Sequence, residues 1–313
     1  YRRNTKDMLV AGATLPATLG ASVPKSNSAD MKTIGWELSL GWNDRLENGF
    51  SYWVKGVLSD YQATITKYAG NDAGFYSQSD GDGKYYVGQK IGEIWGYHSN
   101  GLFQSDDEAA TIDQSELYAG KWGAGDVKYE NLDGDGKITK GEETIYNPGD
   151  KSIIGNKTPR YQFGITVGFD YKNFDFEMFW QGTGKRDYML SGAQFWGFTS
   201  QWDVPYTPAL DYWTETNTDA YFPRPGWQNG GNRVTSDRYL QSAAYGRLKN
   251  LTVGYTIPKN LTTKWGISRL RLYVTGENLL TITPLNDAFD PETLGGLTYP
   301  INRKVAIGLN LTL

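Results

Sequence analysis

Residues 305–313 place a large apolar side chain on every second position. Val305, Ile307, Leu309, Leu311 and Leu313 alternate with Ala306, Gly308, Asn310 and Thr312. A period of two describes a strand with one greasy face and one small or polar face. The pattern recurs along the chain. Within 34–42, Trp36, Leu38, Leu40 and Trp42 oppose Glu37, Ser39 and Gly41, and 50–58 puts Phe50, Tyr52, Val54 and Leu58 on one face. Within 161–171, Phe163, Ile165, Val167 and Phe169 oppose Gln162, Gly164, Thr166, Gly168 and Asp170. After Lys172 and Asn173, Phe174, Phe176, Met178 and Trp180 oppose Asp175, Glu177 and Gln181. Leu251, Val253, Tyr255 and Ile257 then face away from Asn250, Thr252, Gly254 and Thr256. Leu270, Leu272 and Val274 alternate with Arg269, Arg271, Tyr273 and Thr275. With the opening segment this makes about eight strands.

The opposing faces carry Gly, Thr, Asn, Gln and charge, which a wet lumen accepts and a packed sandwich core does not. Short connections (about 43–49, 172–173 and 258–266) alternate with long ones (roughly 60–159, 182–243 and 284–300). Outer-membrane barrels show this asymmetry, with short periplasmic turns and long outer loops. A structureless insertion of that length is unusual in a soluble domain. The predicted fold is all-β: an antiparallel transmembrane β-barrel with long extracellular loops, to which all of 1–313 belongs. On pattern alone, an antiparallel sandwich or extracellular β-rich module is the alternative.

Composition narrows the function classes. The 31 basic and 35 acidic residues leave a net charge of -4 with no basic clustering, against a nucleic-acid footprint. Mean hydropathy is -0.55, and no apolar run is long enough for a membrane helix. That does not exclude a barrel, whose strands and loops are half polar. The 11 Trp and 22 Tyr suit interfacial aromatic girdles or carbohydrate-binding loops. There is no Cys, hence no disulfide framework or thiol chemistry. Residues 1–10 read as strand and loop, not as a signal peptide, so the chain is expected to be part of a longer protein.

The sharpest local motif is NLDGDGKITKGE at 131–142. It follows the EF-hand loop pattern: Asn131 at position one, Asp133 at three, Asp135 at five, Gly136 at six, the Lys137 carbonyl at seven, Thr139 at nine and Glu142 at twelve. Ile138 takes the apolar eighth position. Calcium needs several oxygens on a tight turn, so these residues are its candidate ligands. A metal-free Asp- and Gly-rich turn is the plainer alternative. Gly136-Lys137 is not a P-loop, because Ile138 stands where Ser or Thr is required. The stretch around Asp80 and Asp82 lacks a downstream Glu at the right spacing and reads as a flexible loop.

Between 191 and 227 the chain is dense in aromatics. Trp196, Trp202, Tyr212, Trp213 and Trp227 are candidate substrate contacts, since ring faces stack on sugars or on peptide side chains. The alternative is self-packing or contact with a partner protein. No residue is assigned to catalysis. The single histidine, His98, lies in no supporting motif, and nothing marks a glycosidase pair among the 35 acids.

Six segments in order then resemble one family. They are GQKIGEIWGYHSNGLFQS (88–105), AGDVKYENLDGDGKIT (124–139), IGNKTPRYQFGITVGFDYKNFDFEMFWQG (154–182), AAYGRLKNLTVGYTIP (243–258), SRLRLYVTGENLLTIT (268–283) and FDPE (289–292). Together they resemble the C-terminal part of the SusC/RagA family of TonB-linked outer-membrane transporters. The resemblance implies a barrel of about 22 strands with a plugged lumen, of which this segment would form the last third or so. It implies a SusD-like surface lipoprotein lidding the barrel, and import of oligosaccharides or, in the RagA branch, of peptides. Energy would come from the TonB complex acting on an N-terminal plug, which is not among these residues. Family members commonly end on an aromatic residue, whereas this chain ends on Leu313. The last strand is expected to pair at its outer edge with a strand outside the chain. The first functional expectation is therefore glycan import. The alternatives are peptide import, a secreted calcium-stabilised binding module, and a glycan-degrading enzyme.

Overall fold

The computed structural model describes residues 1–11, 18, 25–69, 71, 74–75, 85–294 and 299–313. The strands among them are, in order, β1 (Arg2–Ala11), β2 (Lys25–Arg45), β3 (Ser51–Tyr68), β4 (Glu93–Tyr97), β5 (Ser99–Leu102), β6 (Val127–Tyr129) and β7 (Lys151–Asn156). There follow β8 (Arg160–Tyr171), β9 (Phe174–Lys185), β10 (Asp187–Met189), β11 (Leu240–Ser242), β12 (Tyr245–Thr256), β13 (Arg269–Ile282) and β14 (Lys304–Thr312). Three single-turn helices, α1 (Asp106–Ala109), α2 (Ala193–Trp196) and α3 (Lys259–Thr262), complete the list.

Eight of the strands form one antiparallel wall in the order β1-β2-β3-β8-β9-β12-β13-β14. Each is paired with its neighbour in sequence along the wall, as in an up-and-down barrel. The register carries the greasy face from strand to strand. Trp42, Val54, Val167, Met178, Leu251, Gly276 and Val305 stand in one row. Tyr52, Phe169, Phe176, Val253, Val274 and Ile307 stand in the next. Among the described residues this face is left largely open: Leu40 in a neighbouring row is 64% exposed, Trp42 65% and Ile307 82%. In water such a surface would be an aggregation site; against hydrocarbon it is the outer face a barrel needs. On β2 the band runs from Ile34 to Trp42, about 26 Å along the strand and roughly 20 Å of height at the usual tilt.

At the short-turn end the band closes in aromatics. Phe50 stacks on Phe169 (5.4 Å between centroids), Phe169 on Phe176 (5.0 Å), and Phe174 packs on Tyr255 (4.7 Å). The Trp42 indole N–H donates to the Tyr52 hydroxyl at 3.3 Å. Rings with one wet edge suit the membrane–water boundary. The turns there are tight. Lys172, at φ 55, turns β8 into β9, and α3 with a following 3-10 turn ends on Gly266 at φ 67.

At the other end the strands outrun their alternation. β3 continues to Tyr68, so the long connection begins after Tyr68 and not near residue 60. Above the hydrocarbon no lipid selects one apolar face, so the period of two fades while backbone pairing continues.

The long connections are not structureless. They contain the ribbons β4–β7, β5–β6 and β10–β11 and most of the deeply buried residues. Tyr97, Val127, Tyr129, Ile138, Phe195, Tyr239 and Phe289 belong to one cluster drawn from three connections. The protein core thus sits in a layer above the wall. β6 is only three residues long and is clamped by amides. Buried Gln114 donates to the Val127 carbonyl (3.0 Å) and accepts from the Tyr129 N–H (2.8 Å), while Asn232 accepts from the Val127 N–H (2.8 Å).

Candidate functional site

The loop layer is pinned to the wall on its polar face. At Lys249 the register of β12 shifts: β12 has one residue more than β9 there, whereas β13 has one more than β12, with Asn278 and Leu279 standing opposite Lys249. Arg247, 3% exposed, donates from Nε to Thr281 Oγ1 (2.8 Å) and from Nη2 to Asp290 Oδ2 (2.6 Å). Its Nη1 lies 3.0 Å from Glu292 Oε1 as a charge contact without hydrogen-bond alignment. Lys249 Nζ reaches the same carboxylate at 3.1 Å. The segment 289–292 is therefore held on the wall by two cations.

The aromatic candidates divide. Trp196 and Trp213 are each 8% exposed and belong to the core. Trp196 meets Tyr239 edge-on at 4.5 Å and Phe195 at 5.0 Å. Tyr212 is half-buried against the same cluster. Trp196 and Tyr212 also border a narrow cleft shared with Phe198, Pro223, Arg224 and Arg233. Trp202 and Trp227 are 83% and 47% exposed. Stacking on a ligand needs a free ring face, which these two offer. Arg233 steadies the tip by donating to the carbonyls of Phe198 (3.2 Å) and Trp227 (3.1 Å).

The 131–142 loop adopts the stepwise turns its sequence predicts. Asn131 Oδ1 accepts from the Gly134 N–H (2.6 Å), Asp133 Oδ1 from Asp135 (3.1 Å) and Asp135 Oδ1 from Lys137 (2.8 Å). Gly134 and Gly136 take φ of 78° and 85°, open to glycine without strain. Ile138 is 1% exposed in the core. Each Asp keeps a second oxygen outside these turns. Glu142 is not gathered with them, and among the described residues no three acids or imidazoles converge on a metal-sized point. Sequence reasoning missed Asp150. Fully buried, it accepts N–H bonds from Leu132 and Thr139, both at 2.7 Å, and so closes the loop from behind. The segment around Asp80 and Asp82 lies outside the described residues.

His98 is not alone in space. Its Nδ1 is 2.7 Å from Asp237 Oδ2 and its Nε2 2.7 Å from Ser152 Oγ, while Asp237 Oδ1 accepts the Ser99 N–H at 2.9 Å. The partners are 139 and 54 residues away, so no local motif could announce them. Ser152 sits within β7, not on the sharp turn that presents a nucleophile. The trio ties the β4–β5 junction, β7 and the approach to β11 together.

Three buried phenols, Tyr97, Tyr129 and Tyr239, are raised well above the ordinary tyrosine range, chiefly by desolvation. At the layer's surface Glu108 is lowered, first by the Gln104 N–H and then by Lys128.

No family model matches the chain. It is 29% identical over 341 aligned residues to TonB-dependent receptor P3 of Formosa agariphila, covering 99% of this chain and 31% of that protein. It is 24% identical over 322 residues to TonB-dependent receptor SusC of Bacteroides thetaiotaomicron, covering 99% of this chain and 29% of that one. Among solved structures, the RagAB peptide transporter superposes with a TM-score of 0.73 at 20% identity, over 99% of this chain and 32% of that one. The chain thus spans about a third of the length of the relatives it matches.

Proposed function

We propose that the protein containing this chain, which is similar over nearly its whole length to TonB-dependent receptors, is an outer-membrane transporter of the SusC/RagA type that imports oligosaccharides beneath a SusD-like lipoprotein lid. The uncovered apolar wall is the observation that carries the reading. It argues against a secreted module, and the relatives, named as TonB-dependent receptors, argue against a glycan-degrading enzyme. The wall would hold the protein in the membrane, and the loop layer would meet ligand and lid. Movement of a plug, driven by the TonB complex, would open the path through the lumen.

Oligosaccharide is favoured over peptide by the free faces of Trp202 and Trp227, since aromatic rings stack well on sugar rings. The test is calorimetric titration of the full-length protein with panels of oligosaccharides and of short peptides. Oligosaccharide binding should weaken about tenfold on Trp202→Ala or Trp227→Ala, a loss of one stacking contact. Binding of peptides alone would move the protein to the peptide-importing branch.

We further propose that the 131–142 loop takes a calcium ion, which would brace the layer without doing chemistry. Asn131, Asp133, Asp135, the Lys137 carbonyl and Thr139 would supply oxygens, and Glu142 would have to swing in to complete the set. Asn at position one removes a charge and should leave affinity modest. Calcium should raise the thermal midpoint of the parent protein and not that of Asp133→Ala/Asp135→Ala. Equal midpoints with and without calcium would refute the site.

A further inference from the structure

The outward face of the wall is not evenly filled. Leu40, Gly56 and Ile165 share a row, and a Cβ on Gly56 would meet nothing within 4 Å. The gap is the floor of an apolar groove bordered by Leu38, Leu40, Leu58, Phe163 and Ile165, which runs to Tyr161 and Gly184. From Ile165 to Tyr161 is about 13 Å along β8, within the length of one acyl chain.

Tyr161 also borders a second cleft, where the top of the wall meets the β4–β7 ribbon. Gln62, Lys90, Arg160 and Lys185 line it, together with the acids Glu93 and Asp187. The acids keep their charge but are held in place by neutral donors. Glu93 accepts from the Tyr86 hydroxyl (2.6 Å) and the Lys90 N–H (3.1 Å), and Asp187 from the Asn156 N–H (2.9 Å). Arg160 is paired with Asp60. The Lys90 and Lys185 ammonium groups form no ion pair among the described residues.

An apolar groove that opens at one end onto two unpaired positive charges matches a hydrocarbon tail joined to an anionic head. We propose that this face binds a phosphorylated membrane lipid, with one acyl chain in the groove at Gly56 and the phosphate against Lys90 and Lys185. The apolar contact holds the chain and the lysines select the head. The proposal rests on the outward face lying in the membrane.

The test is native mass spectrometry of the full-length protein in detergent with three probes: monophosphoryl lipid A, its dephosphorylated counterpart, and inorganic phosphate. The phosphorylated lipid should give the persistent adduct. Gly56→Leu fills the groove from a position with open space, so it should fold like the parent and retain about tenfold less lipid. Lys90→Gln/Lys185→Gln should lower the phosphorylated lipid to the level of the dephosphorylated one. Equal retention by parent and Gly56→Leu, equal retention of the two lipids by the parent, or inorganic phosphate binding as well as the lipid would each overturn the site. Failure of the membrane placement itself would show separately, as a parent protein that stays monodisperse without detergent.

Discussion

Arg247 joins the wall to the loop layer. Its guanidinium is almost fully covered, and among the described residues its charge is met by Asp290 and Glu292, on a segment whose Phe289 also enters the core cluster. Arg247→Ala leaves two carboxylates that water can partly reach, so the loss should be about 2–3 kcal/mol, below that of a fully buried pair. Limited proteolysis should then cut within 283–294 faster than in the parent, and an unchanged rate would show that the segment is held by other means. Arg247→Lys keeps charge but not the fork, and should recover only part of the protection.

Among the elements, β14 makes the plainest wager. Ile307 points away from the protein and Ala306, one residue earlier, toward the lumen side, paired with Thr275. Ile307→Lys should destabilise the inserted protein by roughly 2–4 kcal/mol, as a cation does near mid-bilayer, while Ala306→Lys should be nearly neutral. Urea unfolding in lipid vesicles would measure both, and equal costs would contradict the assignment of faces. Of the eight wall strands, β1 lacks the alternation and was read only as an opening strand-like segment; the other seven were legible because lipid imposes a period of two on them. Their upper ends were not, since nothing beyond the hydrocarbon enforces that period. The small ribbons escaped notice for a related reason. β6, β10 and β11 are three residues each, too short to show any period, and are positioned by side chains such as Gln114 and Asn232. Of the site, the turns of 131–142 were readable from spacing. Asp150, His98's partners and the burial of Trp196 and Trp213 depend on contacts between distant segments, which spacing does not encode.

The whole molecule answers to two solvents. Its wall is apolar outside and carries little buried core, whereas the layer above is packed like a soluble domain around Tyr97, Tyr129, Phe195 and Tyr239. Burial raises the three phenols of that core in the folded state. Their contribution to stability is therefore fully present below the ordinary tyrosine pKa of about 10 and is lost as pH rises from there toward the folded values. Alkaline titration in detergent should abolish the near-ultraviolet circular dichroism of the aromatic layer above about pH 10, while the far-ultraviolet β signal of the wall persists. Simultaneous loss of both signals would mean that layer and wall unfold as one unit. Tyrosinate absorbance appearing well before either loss would mean that the phenols are open to water.

The uncovered rows from Trp42 to Val305 have a consequence for how the sequence can vary. A liquid presses on them, and a liquid has no shape to match. Exchanges among Leu, Ile, Val and Phe there should cost little so long as the side chain stays apolar. In the layer, the same exchange at Val127 or Phe195 must also respect volume to within a methylene. A saturation mutagenesis map of this chain would therefore show two textures meeting at the top of the strands, one tolerant of any oil and one demanding a particular piece.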